Sequence, residues 1–283
     1  MDFNKVTKVI YHKNCNDGLS SAGIFYSVKP DIDYISYAHG SNTHNEWEFK
    51  NECLLILDLS LSKDIIEELI KNNIIYIVDH HLPTEMLIDV IVKPNQIHYD
   101  KSKCGALLLW NLIYPNIEQP NILQYVNDRD LWLNKMDNYQ EVFEALALEE
   151  STVENWNKII FKNTSEKYLE DGKVLIKMKE SNLKLLETKS YIKEYINNDD
   201  DKIYSVIYCN SPSLQSDIGN RLLLTHPKAD FAAIYYYSGD IDKTIFSVRG
   251  IDKVNLSLIA KKFGGGGHFN AAGFIRNGLN PHL

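Results

Sequence analysis

Hydrophobic and polar positions alternate in blocks through the first half of the chain. Short apolar runs rich in β-branched residues fall at residues 6–11, 32–38, 53–57 and 74–78, and each gives way to a polar stretch. Runs of that length predict strands, and the one at 74–78 reads as a buried parallel strand. Residues 19–28 and 62–72 instead carry helical spacing; in the second, Ser62 stands as the N-cap and Ile65, Ile66, Leu69 and Ile70 share one face. Residues 89–92 read as a further strand, and 102–105 open a helix through Leu107, Leu108 and Trp110. Residues 12–18 and 39–48 read as loops, with His39 and His44 solvated in the second. Alternating strand and helix signals predict βα units and a mostly parallel sheet.

The alternation fades after about residue 150. Residues 165–198 are highly charged with Leu, Ile and Met at helical spacing, which predicts one or two connecting helices, with a break at Asp171-Gly172. The polar stretch 197–201 marks the start of a second domain. An apolar segment at 203–209 comes next, then a helix at 216–224, strands at 231–237 and 244–248, and a helix at 256–263 that runs into four glycines at 264–267. The expected fold class is α/β: a mostly parallel sheet flanked by helices over residues 1–150, a helical linker over 151–200, and a smaller α/β domain over 201–283.

Composition changes this picture little. Hydrophobic residues at 44% and charged residues at 24% are ordinary for a globular protein. The net charge of -8 argues against duplex DNA as a partner, because non-specific duplex binding depends on Lys and Arg neutralising phosphates. The four cysteines at 15, 53, 104 and 209 form no CxxC pair, which fits a reduced, cytoplasmic setting. The sequence begins directly on a strand pattern without a signal-peptide core, and no window approaches a membrane span.

The residues at the strand ends change it more. The first run ends at His12, the run at 53–57 at Asp58, and the run at 74–78 at Asp79-His80-His81; the segment 124–127 leads to Asp128-Arg129-Asp130. Ligands of open α/β sheets bind at the carboxyl ends of the strands. One buried histidine is usually core filler, but two neighbours on a strand end point in different directions. With Asp17, these residues make a set of carboxylates and imidazoles that suits Mn²⁺, Mg²⁺ or Fe²⁺ and, without thiolate, not structural zinc. Between Asp128 and Asp130, Asp128 comes directly after the apolar run and is the preferred ligand, leaving Asp130 to a salt bridge or cap. The helix start at 102–105 offers amides for a phosphate, or is simply a helix start. Near the other end, consecutive glycines expose amides that can wrap an anion. His268 and Asn270 add donors there, and the ring of Phe269 leans toward a nucleobase. Arg249 ends a strand, and its planar fork suits a phosphate or a base edge.

Four stretches together resemble the ordered motifs of the DHH phosphoesterase superfamily: residues 12–22 (HKNCNDGLSSA), Leu57-Asp58-Leu59-Ser60, Val78-Asp79-His80-His81 and Asn127-Asp128-Arg129-Asp130. Residues 264–274 (GGGGHFNAAGF) resemble the glycine-rich signature of the DHH-associated C-terminal domain. The resemblance implies metal ligands at His12, Asp17, Asp58, His80 and Asp128, with Asp58 bridging two Mn²⁺ or Mg²⁺ ions. It places Asp79 behind an imidazole as its orienting partner, and His81 at the scissile phosphate or as proton donor to the leaving group. Arg249, Gly265, Gly266, Gly267, His268 and Asn270 would bind substrate, with the active site in a cleft between the domains. The first motif departs from the family: one carboxylate stands where two are usual, and Cys15 occupies the loop as a soft ligand or, preferably, as filler. The implied activity is metal-dependent hydrolysis of short oligonucleotides or of linear or cyclic dinucleotides, with short oligonucleotides first. A polyphosphate or pyrophosphate hydrolase and a non-cleaving nucleotide sensor are the competing readings.

Overall fold

A computed structural model of the 283 residues describes all but 39–40, 86, 88–95, 134, 163–164 and 198–201. His39, the strand expected at 89–92 and most of the polar stretch at 197–201 therefore lie outside the described residues. The chain divides into two compact units, Met1–Leu175 and Ile176–Leu283.

In the first unit, β1 (Lys8–His12), β2 (Asp33–Tyr37), β3 (Cys53–Leu57), β4 (Ile74–Asp79) and β5 (Ile97–Tyr99) form one sheet, all parallel, in the order β2-β1-β3-β4-β5. The central strands are buried on both faces, as their unbroken apolar runs require. Val9, Tyr11, Leu55, Leu57, Tyr76 and Val78 face one core; Ile10, Leu54, Ile56, Ile75 and Ile77 face another. The first core is covered by α1 (Asn16–Tyr26), α4 (Gly105–Ile113), α5 (Asn121–Asp130), α6 (Tyr139–Leu146) and α7 (Val153–Lys162), with Trp156 of α7 only 2% exposed. The second core receives Ile66 and Leu69 of α2 (Lys63–Ile70), whose start is capped by Ser62 Oγ accepting from the Ile65 amide. A short α3 spans Leu82–Glu85. The strand order matters for function. The chain leaves β1 in one direction to reach β2 and returns past β1 to β3, so the switch point lies between the carboxyl ends of β1 and β3. Those ends carry His12 and Asp58.

Several expectations are corrected. The helix after β1 begins at Asn16, so Asp17 sits in its first turn rather than in a loop. The apolar segment that leads to Asp128 is part of a helix, α5, which takes in Asp128 and Asp130 as well. The charged region at 165–198 holds one unbroken helix, α8 (Ser165–Thr188), and then a strand, β6 (Tyr191–Asn197). The strand is hidden because its alternation of Tyr and Ile with Lys and Glu also continues the helical spacing before it. Gly172 does not break α8. A Cβ there would fall 1.8 Å from Glu141 O, so the glycine lets α8 meet the backbone of α6. Gly172→Ala is expected to destabilise the protein by about 1–2 kcal/mol in urea unfolding, because overpacking against backbone outweighs the roughly 1 kcal/mol gained from helix propensity. An unchanged midpoint would mean that α6 does not lie against this turn.

The second unit is a six-stranded sheet in the order β10-β11-β9-β8-β7-β6, with β7 (Lys202–Asn210), β8 (Phe231–Ser238), β9 (Lys243–Gly250), β10 (Gly266–Gly267) and β11 (Ala271–Asn277). Only the β7–β8 pair is parallel. α9 (Gln215–Thr225) covers one face through Ile218 and Leu222, and α10 (Leu256–Lys262) covers the other through Leu256 and Ile259. Among the described residues, no helix is long and apolar enough to cross a membrane.

Candidate metal centre

Asp58 comes directly after β3, in the left-handed region at φ 52°, a conformation that Asp tolerates better than most residues and that re-aims its side chain off the strand axis. Its carboxylate is 1% exposed. His80 Nε2 lies 3.2 Å from Asp58 Oδ1, 3.2 Å from Asp130 Oδ2 and 3.7 Å from Asp17 Oδ2. His12 Nδ1 lies 3.6 Å from Asp58 Oδ2, and His81 Nδ1 lies 3.9 Å from Asp58 Oδ1. Side chains from β1, α1, β3, the end of β4 and α5 thus converge at the switch point. Ligand-competent atoms of His12, Cys15 and Asp58 lie within 4.8 Å of one another, as do those of Asp17, His80 and Asp130.

Asp17 is held from behind. Its two oxygens accept from the Gly105 and Ala106 amides, each at 2.7 Å, at the N-terminus of α4. These are the amides that the sequence offered to a phosphate; a carboxylate of the chain itself occupies them instead. Asp79 is fully buried, and both its oxygens are engaged. Oδ1 accepts from His81 Nδ1 at 2.7 Å, while Oδ2 accepts from Ser60 Oγ at 3.1 Å and from Thr84 Oγ1. That arrangement fixes the His81 ring. Asp79→Asn is expected to cost 10- to 100-fold in turnover, the usual price of disturbing an orienting partner, with bound metal retained on elemental analysis.

The fourth motif is the main correction. On a helix, residues two apart point about 200° away from each other, so Asp128 and Asp130 cannot serve one site. Asp130 faces His80. Asp128, the preferred ligand from sequence, accepts from the Lys135 amide at 2.8 Å and is in none of the groups of converging donors among the described residues. Asn127 Oδ1 accepts from the Cys104 amide at 2.9 Å and so joins α5 to the start of α4. An acid in the last turn of a helix is disfavoured by the macrodipole, but that signal falls on Asp128 and Asp130 alike.

The electrostatics favour a cation. Burial, then the charges of Asp58 and Asp130, push the Asp17 carboxyl well above its ordinary range. Burial and Asp58 likewise raise Asp130. Burial would raise Asp58 too, but the imidazoles of His12 and His80 outweigh it and hold this carboxyl below its usual range. The hydrogen bond to Asp79 outweighs burial and draws His81 up to about 9. Asp58 Oδ2 and Asp130 Oδ2 are buried without a hydrogen-bond donor. Three mutually repelling carboxylates, two with orphaned oxygens, beside imidazoles form a donor set that fits a hard divalent ion.

In the second unit the expected binding residues divide. Gly266 and Gly267 pair with Gly273 and Ala272 of β11, so part of the glycine run is strand. The Asn270 side chain is already in use: Oδ1 accepts from the Asp252 amide at 2.8 Å and Nδ2 donates to Asp252 Oδ1 at 2.6 Å, closing a turn in which Asp252 is left-handed. Arg249 donates to Val248 O at 2.9 Å and to Ser216 Oγ at 2.8 Å. Gly265 is partly buried, whereas His268 and Phe269 are exposed.

No family model matches the chain. Among solved structures, the chain is similar to a pGpG-specific phosphodiesterase, PggH, from Vibrio cholerae, at 15% identity over 95% of this chain and 93% of that one, with a TM-score of 0.49. It is also similar to CDC45 from Entamoeba histolytica, at 9% identity over 97% and 92%, with a TM-score of 0.45. At these scores neither likeness bears on function. The uncharacterised protein R106 of Acanthamoeba polyphaga mimivirus is 30% identical over 301 aligned positions, which take in 99% of this chain and 70% of the viral protein. With that identity over nearly its whole length, the chain belongs to the same family as mimivirus R106.

Proposed function

We propose that the chain is a DHH-type, divalent-metal-dependent phosphoesterase that hydrolyses short oligonucleotides or linear and cyclic dinucleotides. The observation that carries this reading is the convergence of Asp17, Asp58, Asp130, His12 and His80 at the topological switch of a parallel sheet. Those five residues would hold Mn²⁺ or Mg²⁺, with Cys15 beside His12 and Asp58. When bound, such ions relieve charge on the phosphoryl oxygens and lower the pKa of water. His81, fixed by Asp79, is placed to give a proton to the leaving oxygen. In the second unit, Arg249, the glycine run Gly265-Gly266-Gly267 and His268 are assigned to substrate binding. Asn270 contributes there by shaping the turn at Asp252.

The test is turnover with Mn²⁺, Mg²⁺ or EDTA on a panel of short oligonucleotides, linear and cyclic dinucleotides, polyphosphate and pyrophosphate. Mn²⁺-dependent release of mononucleotides is expected. Turnover of polyphosphate alone would select that hydrolase, and tight binding of dinucleotides without cleavage would select a sensor. Arg249→Ala is expected to raise KM about tenfold for the best substrate with metal content unchanged, as loss of one charge-assisted contact implies. Loss of metal in that variant would contradict the division of labour between the units.

A further inference from the structure

A cavity of about 430 Å³ opens beside the carboxylate cluster, lined by Asn16, Asp17, Arg129, Asp130, Trp132 and Phe143 among others. Asp17 and Asp130 belong to both, so the cavity adjoins the cluster. The most prominent ring of its lining is Trp132, which is 70% exposed, and the Arg129 guanidinium lies 4.5 Å from its centroid. Trp132 also stands in an unfavourable backbone position. It sits just beyond α5 at φ 53°. Its amide donates to Arg129 O at 3.2 Å, and the Leu133 amide donates to Asp128 O at 2.9 Å. This pair of bonds is a Schellman helix end, whose left-handed residue is usually glycine. Asp128 steadies the same turn through the Lys135 amide. A tryptophan here carries both the steric penalty of the left-handed region and a large apolar ring in water. A glycine would carry neither, so the position is read through what the ring does.

We propose that Trp132, with Arg129 set against it, is the platform on which a nucleobase of the substrate stacks while the adjoining phosphate lies at the carboxylate cluster. The proposal rests on the phosphodiesterase reading and sharpens it. Aromatic stacking tolerates any base, and pyrophosphate and polyphosphate have no base to offer. The platform therefore makes the substrate a nucleotide of any sequence.

The experiment compares wild type, Trp132→Gly and Trp132→Phe in Mn²⁺. The substrates are the dinucleotide pApA and two analogues in which one or the other base is replaced by an abasic ribose. Trp132→Gly is expected to raise KM for pApA about tenfold, within the range of base–aromatic stacking, with kcat within about twofold and manganese content unchanged. Trp132→Phe restores most of the loss. The penalty vanishes on one of the abasic analogues, as coupling between ring and base requires. The unfolding midpoint of Trp132→Gly does not fall, because glycine suits the helix end. An unchanged KM, or a penalty equally large on both abasic analogues, overturns the proposal. If wild type cleaves no phosphodiester, the hydrolase reading fails and the platform is judged by calorimetric binding of AMP in Mn²⁺. Binding about tenfold weaker in Trp132→Gly sustains it, and equal binding or none in wild type refutes it.

Discussion

Asp58→Asn is expected to abolish metal-dependent turnover, by well over a hundredfold, and to lower bound manganese in the purified protein. Partners that only orient a metal ligand are worth 10- to 100-fold, and Asp58 is more central than that. Both its oxygens face imidazoles, at 3.2 Å from His80 and 3.6 Å from His12, and its charge is what pushes Asp17 and Asp130 upward beyond the effect of burial. Asparagine is the informative replacement. It keeps the shape and tolerates the left-handed backbone, whereas alanine at φ 52° would add about 1–2 kcal/mol of strain and confuse loss of folding with loss of charge. Full turnover in a folded Asp58→Asn protein would dismantle the assignment of the centre.

Gly18→Ala is also expected to be damaging, for a reason that no polar side chain reveals. Gly18 lies in the first turn of α1, where alanine would ordinarily gain about 1 kcal/mol of helix propensity. Here a Cβ would fall 2.4 Å from His12 O and 2.9 Å from His12 Cβ. The collision is with backbone, so the strand end and the helix start must separate, and His12 moves away from Asp58. Manganese affinity and turnover should both drop at least about tenfold, since a displaced ligand costs what a lost orienting contact costs. A variant that binds manganese like wild type would show that His12 is not a ligand.

The strand-end residues are legible in the sequence because a parallel strand announces itself by an unbroken apolar run, and the residue just beyond the run then has a known place at the sheet's edge. His12, Asp58 and the Asp79-His80-His81 triplet stand out in that way. The strand order is not legible: nothing in the chain states that β3 lies beside β1, and the switch point depends on that order alone. Preferring Asp128 over Asp130 rests on its coming directly after the apolar run, and on a helix the two point apart. The amides of Gly105 and Ala106 look available to a ligand because their partner, Asp17, is distant in sequence. Asn270 looks like a free donor for the same reason, its true partner being the turn at Asp252. Trp132 escapes notice because a tryptophan between Leu131 and Leu133 reads as ordinary apolar filler, and its left-handed backbone is visible only in three dimensions.

The grip of α4 on Asp17 has a temporal consequence. The carboxylate is fixed by amides 88 and 89 positions farther along, and the last converging acid arrives at residue 130. A ribosome-bound chain that has emerged only through α2 already carries His12, Asp17 and Asp58, yet has nothing to hold them in register. Capacity to take up an ion should therefore appear late and in a single step, once α5 has docked.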